Sequence, residues 1–289
     1  MKMRPLAGLL AFSIASAAPV WAQPEIRSGT FTSSDGVELH YLEAGEGAPV
    51  VFVPGWTMPA EIWQPQLDRF AATHRVIAFD PRGQGRSEKV AYGYYASRRA
   101  QDIGELLDHL DLEAAVLVGW SLGVHEVLQY VDQSGTDQVA GAVLVDHAID
   151  ADWSQSSAFR ERYAAVQTDR EQWMGDFVRA IFATPQSEEY LTSLTEAALS
   201  TPANATAIMI GNLILVDTGD LTDAVRRLDR PALFVWSDGR PESWRTAVEE
   251  TKPDADIVVI PDAGHTLFVD QPELFNQALD DFLRRIGHR

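Results

Sequence analysis

The sequence predicts an α/β fold, a mostly parallel central sheet flanked by helices, with a helical cap inserted late in the chain. Three observations carry this. Short β-rich runs alternate with longer amphipathic ones along most of the length. Residues 149–230, about 80 residues, break that rhythm with helical patterns and no convincing strand. The pentapeptide Gly119-Trp120-Ser121-Leu122-Gly123 sits directly after an apolar run and directly before a helix-like stretch.

Taken in order, the chain opens with Met1-Lys2-Met3-Arg4, a short basic region, followed by the apolar and small residues Leu6 to Val20. Val20-Trp21-Ala22 offers a small-x-small cleavage site. This predicts a secretory signal peptide over 1–22, a mature start at Gln23, and a periplasmic or secreted destination. Thr30–Ser33 and Val37–Glu43 flank Asp35-Gly36, a hairpin signal. Val50–Val53 reads as a buried strand, Ile62–Ala72 as a helix, and Val76–Phe79 as a strand. Ala96–Leu110 has apolar spacing near that of a helix. Val116–Val118 and Ala142–Val145 read as buried strands around a helix from Val124 to Val131.

The interrupting segment carries helical patterns at Ser157–Gln167, Arg170–Phe182, Glu188–Leu199 and Ala203–Val216. Ala232–Trp236 and Ile257–Ile260 are strands, Glu242–Thr251 and Pro272–Ile286 helices. The expected division is therefore a core of 23–148 with 231–289, and a cap of 149–230 between two sheet strands. Ligands on such sheets bind at the carboxyl ends of the strands. The loops after Val53, Phe79, Val118, Val145, Trp236 and Ile260 are thus expected to line a site. Trp120, Trp153, Trp173, Phe182, Met209 and Phe268 are candidates for a substrate pocket, against the alternative that they pack helices together.

Removing the signal leaves about 267 residues, enough for one large domain. Cysteine is absent, which excludes disulfides, thiolate metal sites and a cysteine nucleophile. The formal net charge is −19. So acidic a surface repels phosphate backbones and anionic lipid, so neither a nucleic-acid partner nor membrane insertion is expected. A small molecule is the expected partner; the oligomeric state is not legible.

A strand, a sharp turn and a helix around Gly119-Trp120-Ser121-Leu122-Gly123 present Ser121 above the sheet edge. A serine hydroxyl is a poor nucleophile and needs an adjacent base, itself oriented by a third group. His265 follows Ile257–Ile260 in the loop Asp262-Ala263-Gly264-His265, at the same rim as Ser121. His147, beside the end of Ala142–Val145, is its only rival. His40, His74, His109, His125 and His288 read as structural or solvated. An oxyanion needs backbone N–H donors; Leu122, after the nucleophile, and Trp56, in Pro54-Gly55-Trp56-Thr57, are the candidates.

At this point the chain resembles the α/β-hydrolase fold family over essentially all of its mature length. The matching pieces are Val53-Pro54-Gly55-Trp56, Asp80-Pro81-Arg82-Gly83-Gln84-Gly85-Arg86-Ser87, the Ser121 pentapeptide, and Asp262-Ala263-Gly264-His265. In detail it is similar to helical-capped serine esterases and cofactor-free haloperoxidase-like perhydrolases. Two departures stand out. Pro54-Gly55 replaces the usual His-Gly. Counting on from Pro231 puts Ser237 where the family has glycine and Arg240 where it has the triad acid, with Asp238 off register.

Some members, among them haloalkane dehalogenases, carry the acid after the strand before the cap, a position that is Asp146 here. The resemblance thus implies a Ser121–His265–Asp146 triad, with Asp238 as the alternative acid. Dehalogenation is not implied, because Ser121 stands where those enzymes have an aspartate. The activity implied is hydrolysis of a carboxylic ester of a small, largely apolar substrate, with no cofactor and no metal. Perhydrolysis with hydrogen peroxide, or ligand binding without catalysis, are the alternatives.

Overall fold

A computed structural model describes residues 25–215 and 220–289; the expected signal peptide and its cleavage site lie outside them. The first hairpin forms as its Asp35-Gly36 turn predicts. Strand β1 (Arg27–Thr32) pairs antiparallel with β2 (Glu38–Ala44), with Thr32 opposite Glu38. Then come β3 (Pro49–Val53), α1 (Gln64–Phe70), β4 (Arg75–Asp80), α2 (Ala96–His109), β5 (Ala115–Trp120), α3 (Leu122–Ser134) and β6 (Val139–Val145). The helix expected over Ile62–Ala72 is split: a 3-10 turn covers Ala60–Trp63, and α1 starts only around Pro65, which fits a first turn where no N–H is needed.

After β6 follow α4 (Ser157–Thr168), α5 (Arg170–Ala180), α6 (Glu188–Ser200), α7 (Ala203–Leu215) and α8 (Thr222–Arg227). The chain closes with β7 (Ala232–Ser237), α9 (Glu242–Thr251), β8 (Asp256–Ile260), α10 (Leu267–Asp270) and α11 (Pro272–Arg285). Two short helices, α8 and α10, were not among the expected elements; a single turn is too short to show periodicity.

The sheet has eight strands in the order β1-β2-β4-β3-β5-β6-β7-β8. All pairs from β4 to β8 are parallel. Alternation along each strand sends neighbours to opposite faces. Val50, Phe52, Val116, Val118, Val143 and Val145 pack on one face with α1, α11 and α4–α7. Val51, Val53, Leu117, Ala142 and Leu144 pack on the other with α2, α3, α8 and α9. The last helix of the 149–230 stretch, α8, therefore sits with α3 and α9, apart from α4–α7.

The chain runs from β3 outward to β4, then returns to place β5 on the other side of β3. That reversal is the topological switch point at which open parallel sheets leave a crevice. The loop after β3 and the end of β5 meet there. Among the described residues, no helix is long and apolar enough to cross a membrane.

Candidate active site

Ser121 is the hinge of the strand-to-helix turn. Its φ of 54° and ψ of −118° lie in a region that costs a non-glycine residue about 1–3 kcal/mol. The flanking glycines allow the turn to close. A Cβ on Gly119 would lie 2.5 Å from the Gly123 carbonyl oxygen, and one on Gly123 would lie 2.4 Å from that of Val53. The Ser121 N–H donates to the Val145 carbonyl (2.9 Å), which ties the turn to the neighbouring strand.

His265 meets this serine from the loop after β8. Its Nε2 is 2.9 Å from Ser121 Oγ, and its Nδ1 is 2.7 Å from Asp146 Oδ2. The loop is held on several sides. Trp120 Nε1 donates to the His265 carbonyl (2.7 Å), and Thr266 donates from N and Oγ1 to the Ile181 carbonyl. Asp270 accepts from Gly264 N (2.8 Å), Ala183 N (2.9 Å) and Thr184 N (3.0 Å), so one buried carboxylate ties the histidine loop to the segment after α5.

Asp146 is the residue after β6, at φ 53°. Its carboxylate is wholly buried and accepts from Ser237 N (3.1 Å), Ser237 Oγ (3.2 Å) and both Nε (2.9 Å) and Nη2 of Arg240. Burial alone would raise its pKa; the hydrogen bond from His265, then Arg240, hold it below the usual carboxylate value. Asp238, the alternative acid, is exposed on the β7 turn, and its backbone N–H donates to the Ile260 carbonyl. The off-register position explains this: Arg240, not Asp238, turns back toward the histidine's partner.

The rival histidine is placed elsewhere. His147 packs 6.1 Å from the His125 ring and 5.7 Å from Trp153, while Asp146 turns to His265. Burial, with help from the nearby His125 and His265, lowers its pKa to about 3. It is neutral at ordinary pH and does not serve Ser121. β6 ends at Val145, so Asp146 and His147 lie in the loop after it, where strict strand alternation does not set their directions.

The oxyanion candidates flank Ser121. Leu122 opens α3, so its N–H has no intrahelical acceptor. Gly55, before Trp56, passes so close that a Cβ there would lie 3.1 Å from Ser121 Cβ and from the Trp120 ring. Sequence reasoning missed what braces this loop. Gln84 Nε2 donates to the carbonyls of Gly55 (3.0 Å) and Met58 (2.8 Å), and Arg99 in turn donates to Gln84 Oε1 (2.8 Å) and Glu126. The glutamine lies in the quoted Asp80–Ser87 motif, which was the available signal.

The pocket candidates divide. Trp120 and Phe268 are fully buried, edge to face at 5.1 Å, and Phe268 stacks on Trp63 at 3.9 Å. Trp120 packs on the His265 ring at 5.2 Å, and both aromatics belong to the buried core. Met209 is also buried, beside Arg99. Trp153, Trp173 and Phe182 are partly exposed; Trp173 packs on Trp56 at 5.7 Å, and Phe182 on Tyr190 at 5.9 Å.

A buried strand end, a strained serine, a histidine and a carboxylate in hydrogen-bond sequence are the arrangement that activates a hydroxyl for attack on an acyl carbon. The family model described as the alpha/beta hydrolase family matches residues 50–278. The chain belongs to the alpha/beta hydrolase family, and its structure has that fold. It is similar to a non-heme chloroperoxidase of Kitasatospora aureofaciens, 30% identical over 88% of this chain and 98% of the relative. A bifunctional esterase/perhydrolase of Acinetobacter calcoaceticus is 38% identical over 40% of this chain and 44% of its own. Among solved structures, an esterase from Rhodococcus sp. ECU1013 superposes with a TM-score of 0.76 at 27% identity, covering 91% of this chain and 99% of that one.

Proposed function

We propose that the protein is a serine hydrolase that cleaves a carboxylic ester of a small, largely apolar substrate through an acyl-serine intermediate. The observation that carries this is the unbroken series Ser121 Oγ–His265–Asp146 at 2.9 and 2.7 Å. In the forward step Ser121 Oγ bonds to the ester carbonyl carbon while its proton passes to His265 Nε2. Asp146 holds Nδ1–H and steadies the imidazolium. The carbonyl oxygen becomes an oxyanion facing the N–H groups of Trp56 and Leu122.

Collapse of the tetrahedral intermediate breaks the bond to the alcohol, which takes the Nε2 proton and leaves. Water then repeats the cycle on the acyl-serine, with His265 as base, and releases the carboxylic acid. Every group these steps need belongs to the chain. The helices of 149–230 that pack above the strand ends act as the cap, with Trp173 and Trp153 among its inner aromatics.

Ser121→Ala is expected to lower turnover of an activated short-chain ester by about 10⁴–10⁶-fold and to abolish labelling by a fluorophosphonate probe. Near-wild-type turnover in that variant would refute the assignment. A second reading, perhydrolysis, is favoured by the similarity to the chloroperoxidase and the esterase/perhydrolase. There hydrogen peroxide replaces water in the second half-reaction, and peracetic acid formation from acetate and peroxide is the readout. Export is proposed on the basic-then-apolar pattern of residues 1–22; a purified extracytoplasmic protein beginning at Gln23 is the expected result.

A further inference from the structure

Arg162, on α4, is a cation for which the steps above have no use. Its guanidinium lies 4.8 Å from the ring centre of Phe159, 5.3 Å from Phe177, 5.6 Å from Trp173 and 5.8 Å from Trp56. Its Nε is buried and has no hydrogen-bond acceptor. Burial lowers its pKa to about 10, and no carboxylate among the described residues offsets that. The group is therefore charged at neutral pH and, among the described residues, stabilised by aromatic faces. In a protein with 42 acidic residues against 23 Lys and Arg, a half-buried cation with no acid partner among the described residues is conspicuous.

Its place in the fold gives it a target. On one side it touches Trp56, in the loop after β3. On the other, Phe159 stacks on Trp153 at 4.6 Å, and Trp153 packs on His147, in the loop after β6, at 5.7 Å. In the sheet β5 lies between β3 and β6, and Ser121 follows its end. The aromatic chain holding Arg162 thus links the loops on either side of β5, the strand whose end carries Ser121. Trp173 and Phe177 join it from α5, whose far end meets the histidine loop at Ile181.

We propose that Arg162 receives a carboxylate carried by the ester substrate, so that the preferred substrates are monoanionic esters with an apolar body. This rests on the hydrolase reading and narrows its substrate class. A guanidinium offers a forked donor pair matched to a carboxylate, and the four surrounding rings lower its exposure to the water that would weaken the contact. The incoming acid supplies the counterion that the fold withholds.

The test compares esters matched in length: monomethyl succinate, glutarate and adipate against methyl butyrate, valerate and hexanoate, and 4-carboxyphenyl acetate against phenyl acetate. The wild type is expected to favour the anionic member of at least one pair in kcat/KM. In R162Q that ratio is expected to fall about 10- to 100-fold, with R162K keeping part of it. An equal loss on both members of every pair, or a wild-type preference for the neutral ester throughout, would overturn the proposal. Binding to S121A protein, followed by tryptophan fluorescence, keeps the two readings apart. Preference for the anion there, lost in S121A/R162Q, supports the Arg162 site even if the wild type turns over no ester; equal binding of both members overturns it.

Discussion

The floor of the site and its roof are built on opposite terms. On the floor, anionic groups have several partners: Asp146 is met by His265, Ser237 and Arg240, and Asp270 by Gly264, Ala183 and Thr184. In the roof, Arg162 sits among aromatic rings with no acid beside it among the described residues. A saturated network fixes geometry before substrate arrives, which is what a proton relay needs. An unsaturated cation leaves a vacancy that a ligand's own charge can fill. On the proposed reading, the floor carries the chemistry and the roof chooses its substrate.

The largest effect expected on the floor comes from the acid. Asp146→Asn keeps the size but presents the wrong tautomer to His265, and kcat is expected to fall about 10⁴-fold. Asp238→Asn, on the exposed turn, should stay close to wild type in the same ester assay. Equal losses in the two variants would break the assignment of the floor. Next in size is Asp270→Asn. Its amide nitrogen would face either Thr184 N or both Gly264 N and Ala183 N, leaving buried N–H groups unmet. A loss of about 2–3 kcal/mol in denaturant unfolding is expected, together with lower kcat, because the histidine loop loosens from the cap.

A smaller shift tests Arg240. With Arg240→Gln, the Asp146 carboxylate loses the paired hydrogen bonds that hold it toward His265, and kcat in the ester assay is expected to fall about 10-fold, with Arg240→Lys in between. An unchanged kcat would make Arg240 merely a support for the β7 turn.

The last prediction concerns His147, which faces His125, His265 and Asp146. Its pKa of about 3 lies below the ordinary 6.5, so the unfolded chain takes up a proton that the folded one refuses. Its stabilising contribution is whole above about pH 6.5 and is lost as pH falls toward 3, by up to about 1.4 kcal/mol per unit. His147→Gln is expected to flatten the fall of unfolding free energy between pH 6.5 and 4; an unchanged slope would locate that sensitivity elsewhere.

Ser121 and His265 were legible because their signals are local. A strained turn demands glycines at fixed offsets, and a strand end followed by a short loop puts its residues on one rim. Asp146 was legible only through likeness to other chains, since a lone aspartate after a strand has no pattern of its own. Arg240 and Asp270 were not read as partners, because their roles depend on contacts across 94 and 6 positions of sequence that no periodicity records. The aromatic candidates show the same limit. Trp120 and Phe268, candidates for the pocket, are fully buried, Trp120 against the His265 ring and Phe268 against Trp120.

The sequence by itself determined the alternation of strands and helices, the sharp turn at Ser121 and the rim that His265 shares with it. Those follow from backbone geometry and burial, which act over a few residues at a time. The tertiary structure decided between Asp146 and Asp238 as the carboxylate that reaches the imidazole, which aromatics are fully buried, and that Arg162 sits among aromatic rings with no acid beside it among the described residues. Those are matters of charge and packing between distant segments, and only the folded chain brings them within the few ångströms at which they act.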